Sequence, residues 1–242
     1  MRVFPLCHNL RIILNTKFDM ANIFSSSIGK KLIMSISGLF LIVFMCVHAF
    51  VNGLSLISDE AFNAGCEFMA LPVISVMVPV LAAGFVFHII YAFVLNYMNY
   101  KARGTQRYAV ANKAQTDDWA SKNMLVLGII VLGVLAFHLT HFWAKMQLPM
   151  FLGQEYTHDG AALLRLTFKP LWVLIIYVVW FVALWLHMNH GFWSAFHTLG
   201  LNNNIWMCRW KVTGIVVSSV IVLVFIAVAV KAYLVANGIC CC

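Results

Sequence analysis

Apolar and polar positions along this chain segregate into long blocks rather than alternating at the period of a surface helix or strand. Five stretches carry no Asp, Glu, Lys or Arg: 32–58, 68–100, 123–144, 170–208 and 212–230. A helix needs about 20 apolar residues to cross the hydrocarbon core of a bilayer, so each stretch is long enough to cross once. The fourth holds the polar cluster Thr198-Leu-Gly-Leu-Asn-Asn-Asn204 in its second half, which leaves room for one crossing and not two. The pattern predicts five spans at roughly 32–54, 72–97, 123–144, 170–193 and 211–236, following an N-terminal segment 1–29 and followed by a tail 237–242. Residues 1–29 contain no continuous apolar core of signal-peptide type, so no cleaved signal is expected. Residues 1–19 read as an upstream extension, because Met20 opens a segment that leads straight into the first span.

Composition agrees with the block pattern. Of 242 residues 63% are hydrophobic and 10% charged, against about 25% charged in a soluble domain. The net charge of +8 comes from basic residues scattered between apolar runs, which is not the footprint of a nucleic-acid-binding face. Their distribution sets orientation instead. Twelve Lys and Arg fall before the first span or in the 2–3 and 4–5 connections, including Lys30, Lys31, Lys101, Arg103, Arg107, Arg209 and Lys211, against four on the opposite side. Basic residues favour the cytoplasmic side, so the N-terminus is predicted inside. The connections are short, which confines any chemistry to the bundle and its two faces. The seven cysteines form no CxxC or CxxCH, excluding covalent c-type haem attachment and a thiolate zinc site of that spacing.

Histidine is the residue type that stands out. His48, His88, His138, His141, His187 and His190 all lie within apolar spans, with His197 at an edge. A single membrane histidine is commonly interhelical hydrogen-bond glue, worth about 0.6 kcal/mol. Four histidines on four helices invite a depth comparison. At about 1.5 Å per residue, His48 and His138 lie about 24 and 21 Å from the inner side, and His88 and His187 about 9–14 Å from it. Two layers result, each drawing its two histidines from different helices. That is what two stacked, bis-histidine haems require, since a low-spin haem takes one imidazole on each face and its apolar macrocycle fits between bundle helices. His141 and His190, three residues beyond His138 and His187, lie on nearly the same helix faces. Spacing leaves either member of each pair as the ligand and the other to meet a propionate, a quinone or water. No Asp or Glu lies inside a span. Glu67 is the acid best placed to accept a proton beside an outer quinone site, although a solvated loop carboxylate is the more ordinary reading of it.

Several stretches carry a likeness to a known family. They are Lys30-Lys-Leu-Ile-Met-Ser-Ile-Ser-Gly38 with Val47-His-Ala-Phe-Val-Asn-Gly53, and Phe87-His88 through Asn99-Tyr-Lys-Ala-Arg103 and Arg107-Tyr108. Phe137-His-Leu-Thr-His-Phe-Trp143 adds to them, and Leu186-His-Met-Asn-His-Gly-Phe-Trp-Ser-Ala-Phe-His-Thr-Leu-Gly200 is the most specific. Over residues 20–236 the chain resembles the cytochrome b membrane-anchor subunit of succinate dehydrogenase and fumarate reductase, in its single-polypeptide, five-helix, dihaem branch. The resemblance implies an all-α membrane protein, a five-transmembrane-helix bundle enclosing two haem b groups. It implies His48 and His138 as axial ligands of the outer, distal haem, and His88 and His187 as those of the inner, proximal haem. His141 and His190 are left beside them as second partners or alternatives. One departure is Trp185, where some fumarate reductases of the branch carry a glutamate two residues before the fourth-helix ligand.

The function so implied is electron transfer between a membrane quinone, expected to be menaquinone, and a flavoprotein and iron–sulfur subunit pair that interconverts succinate and fumarate. The chain would anchor that pair in the bacterial inner membrane and contribute the quinone site, with the dicarboxylate and flavin chemistry on the partners. An oligomer of the resulting heterotrimer is compatible with this. Two rivals belong to other classes: a proton-relay transporter, which predicts broken helices or internal repeats, and a non-haem di-iron membrane oxygenase, which needs about eight histidines clustered at one face. The sequence offers neither pattern.

Overall fold

The computed structural model describes residues 26–103, 119–155 and 157–239. Five long apolar helices, each able to span a membrane by length and composition, run Ser27–Leu56, Pro72–Ala102, Met124–Phe151, Leu171–Thr198 and Asn204–Ala236. They are referred to below as the first to fifth spans. The chain is thus a multi-pass, all-helical membrane protein. Arg2, Arg11, Lys17, Arg107 and Lys113, the 1–19 extension and the terminal cysteines lie outside the described residues.

The helices outrun the sequence-predicted spans at several ends. The fourth continues to Thr198 and the fifth begins at Asn204, so the polar cluster between them is a tight turn closed by Gly200 at φ +82°. Hydropathy marks the hydrocarbon crossing, whereas backbone hydrogen bonds carry a helix on into the interface until a cap stops it. Asn203 provides that cap by accepting from the Trp206 amide at 2.8 Å, and Ser26 does the same for the first span at Gly29. A second difference lies in the third span, which is not continuous α-helix. Residues Leu139–Trp143 form a π-helical turn, after which α-helix resumes over Ala144–Phe151.

Two helices, Asp59–Ala70 and Gly160–Phe168, cap the end of the bundle away from Ser27, called the outer end below after the predicted orientation. Asn63 ties them together, donating to Asp159 Oδ1 at 3.1 Å and accepting from the Ala161 amide at 3.0 Å. Asp59 and Arg165 add an ion pair between them. The Lys231 ammonium, near the outer end of the fifth span, donates to the Ser55 and Leu56 carbonyls at 2.9 and 3.4 Å. A cation there satisfies carbonyls that the ending helix leaves open.

The fourth and fifth spans form the most buried part of the bundle, with Tyr177, Phe181, Leu184, Ile221, Phe225 and Ala229 at its core. The outward faces are lined by exposed aliphatics such as Val73, Ile90, Val179 and Val220, as a lipid-facing surface requires. The first span packs on the second, fourth and fifth; the third packs on the fourth and more lightly on the second. The first four spans therefore close into a ring in chain order, with the fifth outside it against the first and fourth.

Candidate functional site: two histidine pairs inside the bundle

The ring places four histidines in two facing pairs. His48 of the first span meets His138 of the third, with ring centroids 6.0 Å apart and planes at 84°. His88 of the second meets His187 of the fourth at 6.5 Å and 74°. Both pairs run across the ring, joining spans that do not pack along each other, so the imidazoles meet over the bundle interior. Metal–imidazole bonds of about 2 Å on either side of one ion, plus about 1.1 Å from each nitrogen to its ring centre, give a centroid separation of about 6 Å. Both pairs have the separation that two axial ligands of a single metal ion need.

Their separation in depth can be read from two helices independently. The His88 ring lies against Ser37 and Gly38 of the first span, and His48 is eleven residues beyond Ser37, about 16 Å along the helix. The His187 ring lies against Gly128 of the third span, and His138 is ten residues beyond it, about 15 Å. The two layers expected from the sequence are present. His48 meets His138 in one and His88 meets His187 in the other.

Each layer has its own surroundings. Around the outer pair, His48 stacks on Phe44 at 5.3 Å and lies 5.7 Å from Phe225, while His138 touches Phe142 and Trp180. Glycines flank the inner pair: a methyl group built on Gly38 would meet His88 Cε1 at 3.5 Å, and one on Gly128 would meet His187 Cε1 at 3.6 Å. Nδ1 of His138 and of His187 is buried without a hydrogen-bond partner in the structure. A buried polar atom in that state costs about 1–3 kcal/mol, so neither ring is held in place by a hydrogen bond through that nitrogen. The residues fit a pair of bis-imidazole metal centres set in apolar, aromatic walls.

His141 and His190 pack against other partners. The π turn begins just after His138, and with its i→i+5 bonding a residue three positions on is carried round to a different direction. His141 bonds Tyr177 through Nδ1 at 3.2 Å and packs on Phe137 at 4.1 Å. His190 packs edge-on to Trp193 at 4.7 Å. The i, i+3 spacing alone could not separate these from His138 and His187. Tyr177 and Ser37 were not singled out by sequence reasoning. For Ser37 a signal existed: a hydroxyl in an apolar run, three helical turns before His48 and on the same face.

Glu67 lies on the exposed side of the outer helix Asp59–Ala70, bordering a cleft of about 20 Å³ with Cys66, Met146, Gln147 and His158. That volume is about one water. Burial and the neighbouring Glu67 carboxylate push the Cys66 thiol up to about 11. A larger outer cavity, about 260 Å³, opens between the first and fifth spans; Ser58, Glu60, Arg165 and Lys231 supply its polar lining and Leu164 and Val228 its apolar lining. Backbone and Ser58 hydrogen bonds hold the Glu60 carboxyl below its ordinary value. At the inner end Lys211 lies over Trp193 and Arg209 over Trp206, each 5.0 Å from the ring centre. Trp185 donates to Ser219 Oγ at 2.9 Å. Among the described residues no group of three or more His, Cys, Asp or Glu comes together.

Set against protein-family models, curated proteins and solved structures, the chain matches none of them.

Proposed function

We propose that the chain is a dihaem cytochrome b membrane anchor that carries electrons between a membrane quinone and a peripheral flavoprotein and iron–sulfur pair of the succinate dehydrogenase and fumarate reductase type. One observation carries the haem part: two imidazole pairs at 6.0 and 6.5 Å, each bridging a diagonal of the helix ring. Hydrogen-bond glue predicts a partner for each ring nitrogen, and Nδ1 of His138 and His187 has none. A di-iron centre needs more ligands in one place than a pair supplies.

The residues divide the work as follows. His48 and His138 would hold the outer haem and His88 and His187 the inner one, with the apolar interior excluding water from both. Bound there, the haems supply reversible one-electron transfer across the membrane. Phe44, Phe225, Phe142 and Trp180 wall the outer pair, and Gly38 and Gly128 give the inner pair close approach to the neighbouring helices. No carboxylate lies inside a span, so proton exchange with a quinone falls to groups at the faces. Among the described residues on the outer face, the Lys231 ammonium could donate to a quinone carbonyl oxygen, and the Glu60 and Glu67 carboxylates could accept from a quinol hydroxyl. The basic inner side, with Lys30, Lys31, Lys101, Arg209 and Lys211, suits the docking of an acidic partner surface. The family, the quinone and the partner pair rest on the motif resemblance; the haems rest on the geometry as well.

The test is a dithionite-reduced-minus-oxidised spectrum of the purified full chain with haem quantified per polypeptide. Two b-type haems are expected, falling to one in His48→Ala and to one in His88→Ala, and staying at two in His141→Ala. Absence of a haem band from correctly inserted protein supplied with haem overturns the reading.

A further inference from the structure

The inner histidine pair has a feature that the outer pair lacks. Ser37 Oγ lies 3.1 Å from His88 Nδ1 and 2.9 Å from the Met34 carbonyl oxygen. A hydroxyl has one proton to donate. A carbonyl can only accept, so that proton goes to Met34, and Ser37 must accept from the ring. His88 Nδ1 therefore carries the hydrogen, and Nε2, on the other side of the ring, keeps its lone pair. His138 and His187 have no such partner on Nδ1. Ser37 reaches His88 from a different helix, so the bond also fixes how the second span is rotated against the first. Gly38, next in sequence, lets the ring approach this closely, its absent Cβ falling 3.5 Å from Cε1.

We infer that Ser37 is a positioning residue for the inner haem: it holds His88 in the Nδ1–H form, presents Nε2 to iron, and tunes the iron's potential through the ring. This rests on the dihaem reading above. A hydrogen bond from the far nitrogen orients a metal-binding imidazole and makes it a stronger donor, and loss of such a partner commonly costs about 10–100-fold in metal affinity. A stronger donor favours the oxidised metal, so a stronger acceptor at position 37 lowers the inner potential and removal of the acceptor raises it. The outer haem, about 16 Å away along the first span, is left alone by removal of the acceptor and moves less than the inner one when a charged acceptor is introduced.

The experiment is a redox titration of the full chain, resolving the two haems, on wild type, Ser37→Ala, Ser37→Thr and Ser37→Asp. Haem transfer to excess apomyoglobin is followed in parallel. The expected result for Ser37→Ala is a raised potential for one haem only and about tenfold faster release of that haem. The affected haem is identified as the one missing in His88→Ala. Ser37→Thr, which keeps the hydroxyl, restores both values, and Ser37→Asp moves the same potential downward. Unchanged potentials in Ser37→Ala, equal shifts of both haems, or no rescue by Ser37→Thr would overturn the inference while leaving the haems in place. If Ser37→Ala does not fold, Ser37→Asp and Ser37→Thr still decide it, because the inner potential is expected to fall in the first and to stay at the wild-type value in the second. A wild-type chain that binds no haem is a different outcome, and sinks the functional reading itself.

Discussion

Gly128 offers the most direct test of whether the inner histidine pair is a cofactor site. It lies in the third span under the His187 ring, and a Cβ built there would meet Cε1 of that ring at 3.6 Å, an ordinary van der Waals contact. Gly128→Ala therefore costs no space, and replacing glycine inside a helix gains about 0.5–1 kcal/mol. Valine differs because its γ carbons reach about 1.5 Å past Cβ, leaving as little as about 2 Å to the ring. The imidazole must retreat by more than a bond to iron tolerates. Overpacking of a close-packed site costs about 1–3 kcal/mol, equivalent to about a 5–150-fold loss of affinity if it falls on the bound state. The assay is haem per polypeptide with a redox titration of what remains. Two haems are expected in Gly128→Ala. In Gly128→Val occupancy moves towards one, and the surviving haem is lost when His48→Ala is added. Full retention of both haems in Gly128→Val, or selective loss of the outer one, would refute the assignment of His187 to a tightly enclosed inner site.

Other consequences are smaller and separable. Tyr177→Phe removes the hydrogen bond to His141 and should cost about 1 kcal/mol of stability, measured by denaturation in detergent, with haem content unchanged. Lys231→Met removes both donations to the first span's terminal carbonyls, and a loss of about 1–2 kcal/mol is expected in the same assay. The Cys66 thiol, pushed up to about 11 by burial and Glu67, should react with iodoacetamide at pH 8 about 20-fold more slowly than an ordinary thiol, once the higher nucleophilicity of its thiolate is allowed for; a rate in a single-cysteine variant that keeps climbing about tenfold per pH unit through pH 10, where an ordinary thiol has levelled off, checks it. Hydrogen bonds from the Ala162 amide and Asn63 hold the Asp159 carboxyl below its ordinary value. A depressed folded value stabilises above the unfolded value and is lost as pH falls through the folded one, so limited proteolysis should open the outer cap on acidification, and Asp159→Asn should abolish that pH dependence.

Much of this protein is legible from residue order. Five charge-free runs give five spans, because the cost of burying charge in lipid and the length needed to cross it are properties of a segment by itself. Layering was legible too, since depth follows from counting residues at a fixed rise: His48 with His138 and His88 with His187 came from arithmetic along separate helices. What counting could not supply is rotation. One residue turns a helix by about 100°, so which of His138 and His141, or of His187 and His190, looks into the bundle depends on how each helix is rolled against its neighbours. Packing decided that, and in the third span a π turn over Leu139–Trp143 sends His141 to Tyr177. The same holds for Ser37, whose value lies in a bond to a residue 51 positions away, and for Lys231, which caps a helix 175 or more residues earlier in the chain. Segment chemistry is additive and local, so sequence determined the spans and their depths. Facing side chains depend on the joint solution of all the helix contacts, so only the tertiary structure decided the pairs.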